Sequence, residues 1–372
     1  MRWLLPLIVA TAVFSSPAPA PAQEVDVQGF LDAAEPSLGG TITEVARLSG
    51  AEALPDGSVL TSRSVHHQDL PIAEDYVIGV LEALPAMQVW TEPFEGADVI
   101  EGAQVPVNGV RNIVAQLDGA DPDLPILVVG AHLDSTASAE DDWIPQLDPA
   151  PGADDDASGV AVVMALARAC ARWEGGLRRT VRFVLFTAEE IGLQGSFAHV
   201  DALDPGEELH LMLQLDPVGF NGADGNRLWF AWDPRWPDSL DLVGDAAAAS
   251  GSYLTVQGVD RTLLGSQAER SDHFPFWEAG VRAIHFGAFP PPPDYHKTTD
   301  TLEGVDPAFL DEVTSVLLQL VATEAEPLAV VDVTEGSGCA CEASLTSATP
   351  SSWASWGVGL VVLLAPRRRR KR

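Results

Sequence analysis

Apolar residues recur along this chain in two rhythms, and their alternation predicts the fold. Ala73 to Leu84 repeats apolar positions at helical spacing, and Val160 to Trp173 and Val305 to Val321 read as two further helices. Between them lie short, mostly apolar runs: Pro125 to Val129, which is continuous, and Val181 to Phe186, Leu209 to Leu215 and Ala283 to Phe286. Such runs fit strands buried on both faces of a sheet. Gln88 to Trp90 and Asn112 to Leu117 read as two more strands. Strands alternating with helices predict an α/β fold, a three-layer sandwich with a mainly parallel, mixed central sheet and helices on both faces. No internal repeat interrupts the pattern, and one large α/β domain accommodates the 372 residues.

The two ends read differently. Met1 to Phe14 places one Arg before a short apolar run, and Ala20-Pro21-Ala22 offers small residues for cleavage ahead of Gln23. That layout is a secretory signal peptide, with an apolar part too short to span a membrane. At the other end, Cys339 and Cys341 precede an apolar segment, Trp353 to Ala365, and a basic run, Arg367 to Arg372. The thirteen residues of that segment, at ~1.5 Å each as a helix, fall short of ~30 Å of hydrocarbon. Cysteines, apolar segment and basic cluster together resemble the C-terminal sorting tags of myxobacterial surface proteins. The resemblance covers only the tail from Gly336. It implies processing near Cys339, a secreted or cell-surface protein, and transient membrane contact through the tail.

Charge narrows the partners. The chain has 54 acidic and 21 basic residues, a net charge of -33, and six of the basic residues are the last six. Lys297 is the only lysine before them. Such a field repels nucleic acid and anionic headgroups. No nucleic acid is expected as a partner, and no protein partner is implied. A hydrophobic content of 46% supports a folded core rather than disorder. Cys170 falls on an apolar helical face and reads as core, and Cys339 and Cys341 are too few for a zinc ribbon.

Polar groups gather where the apolar strands end. His132 and Asp134 follow the first of these runs, Glu189 and Glu190 the second, Asp216 the third. Asp155 opens the helix after the first run, and His296 follows the fourth on a proline-rich loop. In open α/β sheets the ligand crevice lies outside the carboxyl ends of the strands, so these residues are expected to share one crevice. Carboxylates crowded together raise one another's pKa. No basic residue accompanies these motifs, so a divalent metal is the natural partner. Oxygen and imidazole ligands suit zinc, and an open position makes such a site catalytic. A carboxylate can bridge two ions ~3.5–4 Å apart. Three ligand carboxylates and one hydroxide offset two Zn2+, which leaves Glu189 as a base. Taken singly, Asp154 to Asp156 fit a helix N-terminus equally well. His66, His67, His199 and His210 have no matching context and are expected to be surface or structural.

From about residue 60 to 325 the chain resembles the secreted co-catalytic zinc aminopeptidases, bacterial leucyl-type enzymes with a phosphorylase/hydrolase-like fold. The resemblance rests on Gly130-Ala-His-Leu-Asp-Ser, Pro151-Gly-Ala-Asp-Asp-Asp-Ala-Ser-Gly, Ala188-Glu-Glu-Ile-Gly-Leu-Gln-Gly-Ser, Leu213-Gln-Leu-Asp, Ser271-Asp-His and His296-Lys-Thr-Thr-Asp-Thr. It implies that Asp155 bridges two Zn2+, that Glu190 and His296 complete one site, and that His132 and Asp216 complete the other. Glu189 is then the general base in hydrolysis by metal-activated water, and Asp134 orients His132. The implied substrates are peptides with a free N-terminus. Some relatives carry a cysteine pair and a tyrosine before the Ser-Asp-His stretch. Here Gly265-Ser-Gln-Ala-Glu-Arg270 has neither. The loops at Asp141 to Pro145 and Pro290 to Pro293 are expected to border the cleft.

The expected organisation is a signal peptide over 1–22, a propeptide or loose lead-in over 23–60, the zinc aminopeptidase domain over 61–325, and a linker with the sorting tail over 326–372. Two other readings stay open on this scaffold. One is a different amide reaction, by a carboxypeptidase or a glutaminyl cyclase-like acyltransferase; cyclases resemble the chain at the Glu-Glu pair but use one zinc. The other is a non-catalytic binding ectodomain, against which the intact ligands and Glu189 speak.

Overall fold

The computed structural model of the protein describes residues 23–330 apart from 101, 223 and 224. The expected signal peptide and sorting tail, with Cys339 and Cys341, lie outside the described residues. In chain order the elements are α1 (Val27–Leu38), α2 (Thr41–Leu48), α3 (Leu70–Glu82), β1 (Gln88–Pro93), β2 (Gly96–Ile100), β3 (Ala103–Val107), β4 (Arg111–Leu117) and β5 (Ile126–His132). There follow α4 (Ala157–Arg172), β6 (Val181–Phe186), α5 (Gln194–Asp201), β7 (Leu209–Leu215), β8 (Arg227–Trp232), α6 (Ser239–Ser250) and β9 (Thr255–Asp260). The last are α7 (Arg261–Leu264), α8 (His273–Glu278), β10 (Ala283–Gly287) and α9 (Pro307–Ala325).

Eight strands form one sheet in the order β1-β4-β6-β5-β7-β10-β8-β9, and β2 and β3 form a separate hairpin. β6, β5, β7 and β10 run parallel at the centre. β1 and β4 enter antiparallel on one flank, and β8 runs antiparallel to β10 on the other. The mainly parallel, mixed sheet expected from the sequence is the one observed.

Successive residues of the central strands point to opposite faces, and both faces are dry. Val129, Phe183 and Leu213 pack in one cluster with apolar side chains of α4 and α9. Their neighbours Val128, Val184 and Met212 pack in another with Phe276 and Trp277 of α8. Each fully buried side chain of this size contributes ~1.5–3 kcal/mol. α4 is Ala- and Val-rich and buried nearly all round, as a helix enclosed between a sheet and other helices must be.

The stretch expected as a loose lead-in is folded here. Its α1 and α2 pack on α4 and α9. Asp26 caps α1 by accepting the Gly29 amide at 2.8 Å. Phe30 is buried and meets Trp173 edge-on at 5.9 Å. Among the described residues no helix is long and apolar enough to cross a membrane.

Candidate metal centre

Four parallel strands end at one edge of the sheet, and their ends deliver the site. β5 ends on His132, β7 leads directly into Asp216, and β6 leads through Thr187 and Ala188 to Glu189 and Glu190. β10 leads into the loop that carries His296. Ala188 and His296 take left-handed backbone, φ 64° and 58°, which is uncommon outside glycine.

The three consecutive aspartates have three separate tasks. Asp156 caps α4: its Oδ1 accepts the Gly159 amide at 3.0 Å, and its Oδ2 accepts the His132 amide at 3.0 Å. Asp154 accepts the Gly219 amide at 2.7 Å and so ties the helix start to the loop after β7. Asp155, between them, sends its side chain into the crevice. Its amide and that of Asp154 donate to the two carboxylate oxygens of Asp300, each at 3.0 Å. Side chains pointing three ways keep adjacent carboxylates apart, which relieves the repulsion implied by three acids in a row.

The five residues expected as ligands converge. His132 Nε2 lies 3.0 Å from Asp155 Oδ1 and 3.3 Å from Asp216 Oδ1. His296 Nε2 lies 3.3 Å from Asp155 Oδ2 and 3.0 Å from Glu190 Oε2. Asp155 thus turns one oxygen to each of two ligand sets. Three groups have donor atoms within 4.8 Å of one another: His132, Asp155 and Asp216; Asp155, Glu190 and His296; and His132, Glu189 and Glu190. The His132 Nδ1–H donates to the Asp134 carbonyl at 2.9 Å, which aims the Nε2 lone pair at the crevice. Orientation of His132 therefore comes from the Asp134 main chain. The Asp134 carboxylate accepts the amides of Glu189 and Glu190 at 3.2 and 3.3 Å and positions that pair.

Charge in the crevice is unbalanced. Burial and the Asp155 charge push Glu190 up to about 7, against the pull of His296. Burial pushes Glu189 well above the usual carboxylate range. Burial alone would lower His296, but Glu190 and Asp155 outweigh it and raise the imidazole to about 10. Burial likewise opposes the charge on His132, yet Asp216 and Glu189 raise it well above its ordinary value. Asp155 is the exception: burial works upward, and the imidazoles of His132 and His296 beside it hold it below the usual range. The imidazoles here take up protons because the carboxylates crowd against them. A divalent ion displaces such protons when its ligands bind.

Two buried atoms test that fit. Asp155 Oδ2 and Glu190 Oε1 are enclosed and accept no hydrogen bond from the protein. Buried carboxylate oxygens are otherwise satisfied, and a metal ion would satisfy both. The oxygen and nitrogen donors suit zinc.

Three residues belong to this site that sequence patterns did not assign. Arg63 is buried behind the aspartate loop, where its guanidinium donates to the carbonyls of Leu48, Leu133, Pro151 and Gly152 at 2.7 to 2.9 Å. A basic residue does therefore accompany the motifs, but its bonds go to main-chain carbonyls. Asp300 holds the amides of the aspartate loop from within the motif that starts at His296. Tyr295 stacks on the His296 ring at 3.8 Å. Burial, then the charges of Asp155 and Glu190, keeps its phenol protonated. Of the other histidines, His66 pairs with Asp98 at 2.8 Å and His199 with Glu92 at 2.7 Å, while the His285 Nε2–H donates to the Asp216 carbonyl at 2.6 Å and its ring stacks on His273 at 4.5 Å. Cys170 is buried in α4, with its thiol pushed up to about 12 by burial.

Similarity to known proteins agrees with this geometry. YfbL of Escherichia coli (strain K12) is 28% identical over 250 residues, which cover 60% of this chain and 74% of that protein. Aminopeptidase YwaD of Bacillus subtilis (strain 168) is 29% identical over 215 residues, 54% of this chain and 42% of the relative. The chain thus spans less than half the length of YwaD. The crystal structure of LapA from Legionella shares the fold, with a TM-score of 0.63 at 18% identity, covering 84% of this chain and 80% of that one. The model of Peptidase family M28 matches residues 112–321, more than half of the chain. That span runs from β4 into α9 and contains His132, Asp155, Glu189, Glu190, Asp216 and His296, so the chain belongs to peptidase family M28, a family of zinc peptidases.

Proposed function

We propose that the protein is a dizinc aminopeptidase that hydrolyses N-terminal residues from peptides. One observation carries this reading: Asp155 offers its two oxygens to two separate ligand sets, each completed by one imidazole and one further carboxylate. His132, Asp216 and Asp155 would hold one Zn2+, and Glu190, His296 and Asp155 the other. When bound, the metals supply Lewis acidity and make water acidic enough to ionise near neutral pH.

Glu189 is buried beside both sets and is left free to move a proton. It takes the proton from the water as its oxygen adds to the scissile carbonyl carbon. It returns that proton to the nitrogen of the leaving amine as the C–N bond breaks. Asp134 fixes Glu189 through its main-chain amide, and Tyr295 presents a protonated hydroxyl at the edge of the crevice. The name of YwaD supports an aminopeptidase over the acyltransferase and carboxypeptidase readings, and the intact Glu189 speaks against a binding module. The layout of both chain ends supports export, with the tail directing the protein to the surface or to release.

A panel of aminoacyl peptides and their N-acetylated counterparts, assayed with and without a chelator, tests the reading. Hydrolysis is expected only of the free-amine peptides, and it should vanish with chelator. Equal cleavage of blocked peptides, or activity indifferent to chelator, contradicts it.

A further inference from the structure

A cavity of about 420 Å³ opens beside the metal centre, and Asp216, Leu264, Gln267, Arg270, Phe289 and Tyr295 help to line it. Its size is in the lower part of the ~300–1,000 Å³ typical of small-ligand sites. It touches the centre through Asp216. Most of the wall is apolar; Arg270 is its one guanidinium, and burial holds the other basic side chain there, His285, below its ordinary value.

Arg270 differs from the other arginines of this acidic chain. Arg47, Arg111, Arg168, Arg182, Arg235 and Arg261 each lie against a carboxylate. Arg63 is buried on carbonyls, and the Lys297 ammonium donates to the Pro293 carbonyl. Arg270 donates from Nη1 to Gln267 Oε1 at 3.0 Å, and among the described residues no ion pair involves it. With 54 acids against 21 bases, a guanidinium at a pocket wall without an acid is the exception. The bond to Gln267 holds one arm of the guanidinium and leaves the remaining donors open.

We propose that Arg270 recognises a carboxylate of the substrate. The inference rests on the aminopeptidase reading and names its substrate class: peptides with an anionic group close to the scissile bond. The guanidinium fork matches a carboxylate with two parallel hydrogen bonds. The acidic field of the whole chain repels anions at long range, so such a substrate needs a local cation at the site. The carboxylate can be the C-terminus of a dipeptide or the side chain of an acidic residue.

Three substrate pairs separate these sources in the zinc-loaded full chain. Leucyl-alanine against leucyl-alaninamide isolates the terminal carboxylate. Leucyl-glutamic amide against leucyl-glutamine amide isolates an acid on the second residue. Glutamyl-alaninamide against glutaminyl-alaninamide isolates an acid on the first. At least one anionic-to-neutral ratio of kcat/KM should fall about tenfold in Arg270→Gln and recover in part in Arg270→Lys. The same ratio should shift in the Kd of these peptides for the Glu189→Gln protein, read by calorimetry. Ratios unchanged by Arg270→Gln in both readouts overturn the proposal. If no peptide is hydrolysed, the aminopeptidase reading falls, and the binding ratios still decide the role of Arg270.

Discussion

Two acidic clusters in this protein are buried to a similar degree and answered in opposite ways. On the helical side, Glu44 of α2 meets the Arg168 guanidinium at 2.5 Å, has Arg47 3.5 Å away, and accepts the Tyr76 hydroxyl. In the crevice, Asp155, Glu190 and Asp216 pair with two imidazoles, Glu189 lies beside them, and among the described residues none of the four pairs with an arginine. Burying a carboxylate without a partner costs several kcal/mol, so both clusters need positive charge. The first receives it from the chain. The second is built to receive it from solution, and that difference marks structure from chemistry.

The comparison can be broken at three places. The largest effect is expected at Glu189, the carboxylate assigned to neither ligand set. Glu189→Gln should lower kcat by about 10²–10⁴-fold while zinc content stays as in the parent. Steady-state kinetics beside metal analysis reads both, and a variant as active as the parent removes Glu189 from its role. Next is the cluster supplied by the chain. Arg168→Ala should destabilise the fold by about 2 kcal/mol, since a buried charged group loses a hydrogen bond. Thermal unfolding should show the same loss with and without chelator, and kcat/KM should be unchanged. A loss that appears only in zinc-loaded protein would join the two clusters and spoil the distinction. The intact protein itself should unfold at lower temperature with chelator, because an ion that binds only the folded chain stabilises it by mass action.

The central strands were legible because they are short and mostly apolar at both odd and even positions, with few polar members such as Arg182 and Gln214. Val181 to Phe186 and Leu209 to Leu215 are buried on both faces, and their limits in the structure match those read from the sequence. α4 begins at Ala157, three residues before the apolar run, because the Asp156 cap starts the helix among the small residues Ala157, Ser158 and Gly159. β8 and β9 escaped the reading. β8 does carry an apolar run, Leu228 to Trp232, which passed unassigned; β9, at the sheet edge, exposes Thr255 and Gln257 and carries none. α1 and α2 lie in an Ala- and Gly-rich stretch and pack on α4; α2 sets Thr41, Val45 and Leu48 on one buried face at helical spacing, a short pattern that passed unassigned.

In the crevice the metal-type residues were legible because each follows a strand that could be placed. Arg63 and Asp300 were not, because their partners are main-chain carbonyls and amides. Any residue has those, so no pattern of side-chain types announces the contact. Tyr295 stood beside a predicted ligand, and only its ring stacking on His296 shows that it faces the site.

Zinc content per chain tests the central claim most directly. Protein purified with zinc and freed of loosely bound ions should retain two equivalents by elemental analysis, and Asp155→Ala, which removes the shared carboxylate, should fall below one. Zinc-free protein after loading, or an Asp155→Ala variant that keeps both equivalents, would contradict the account.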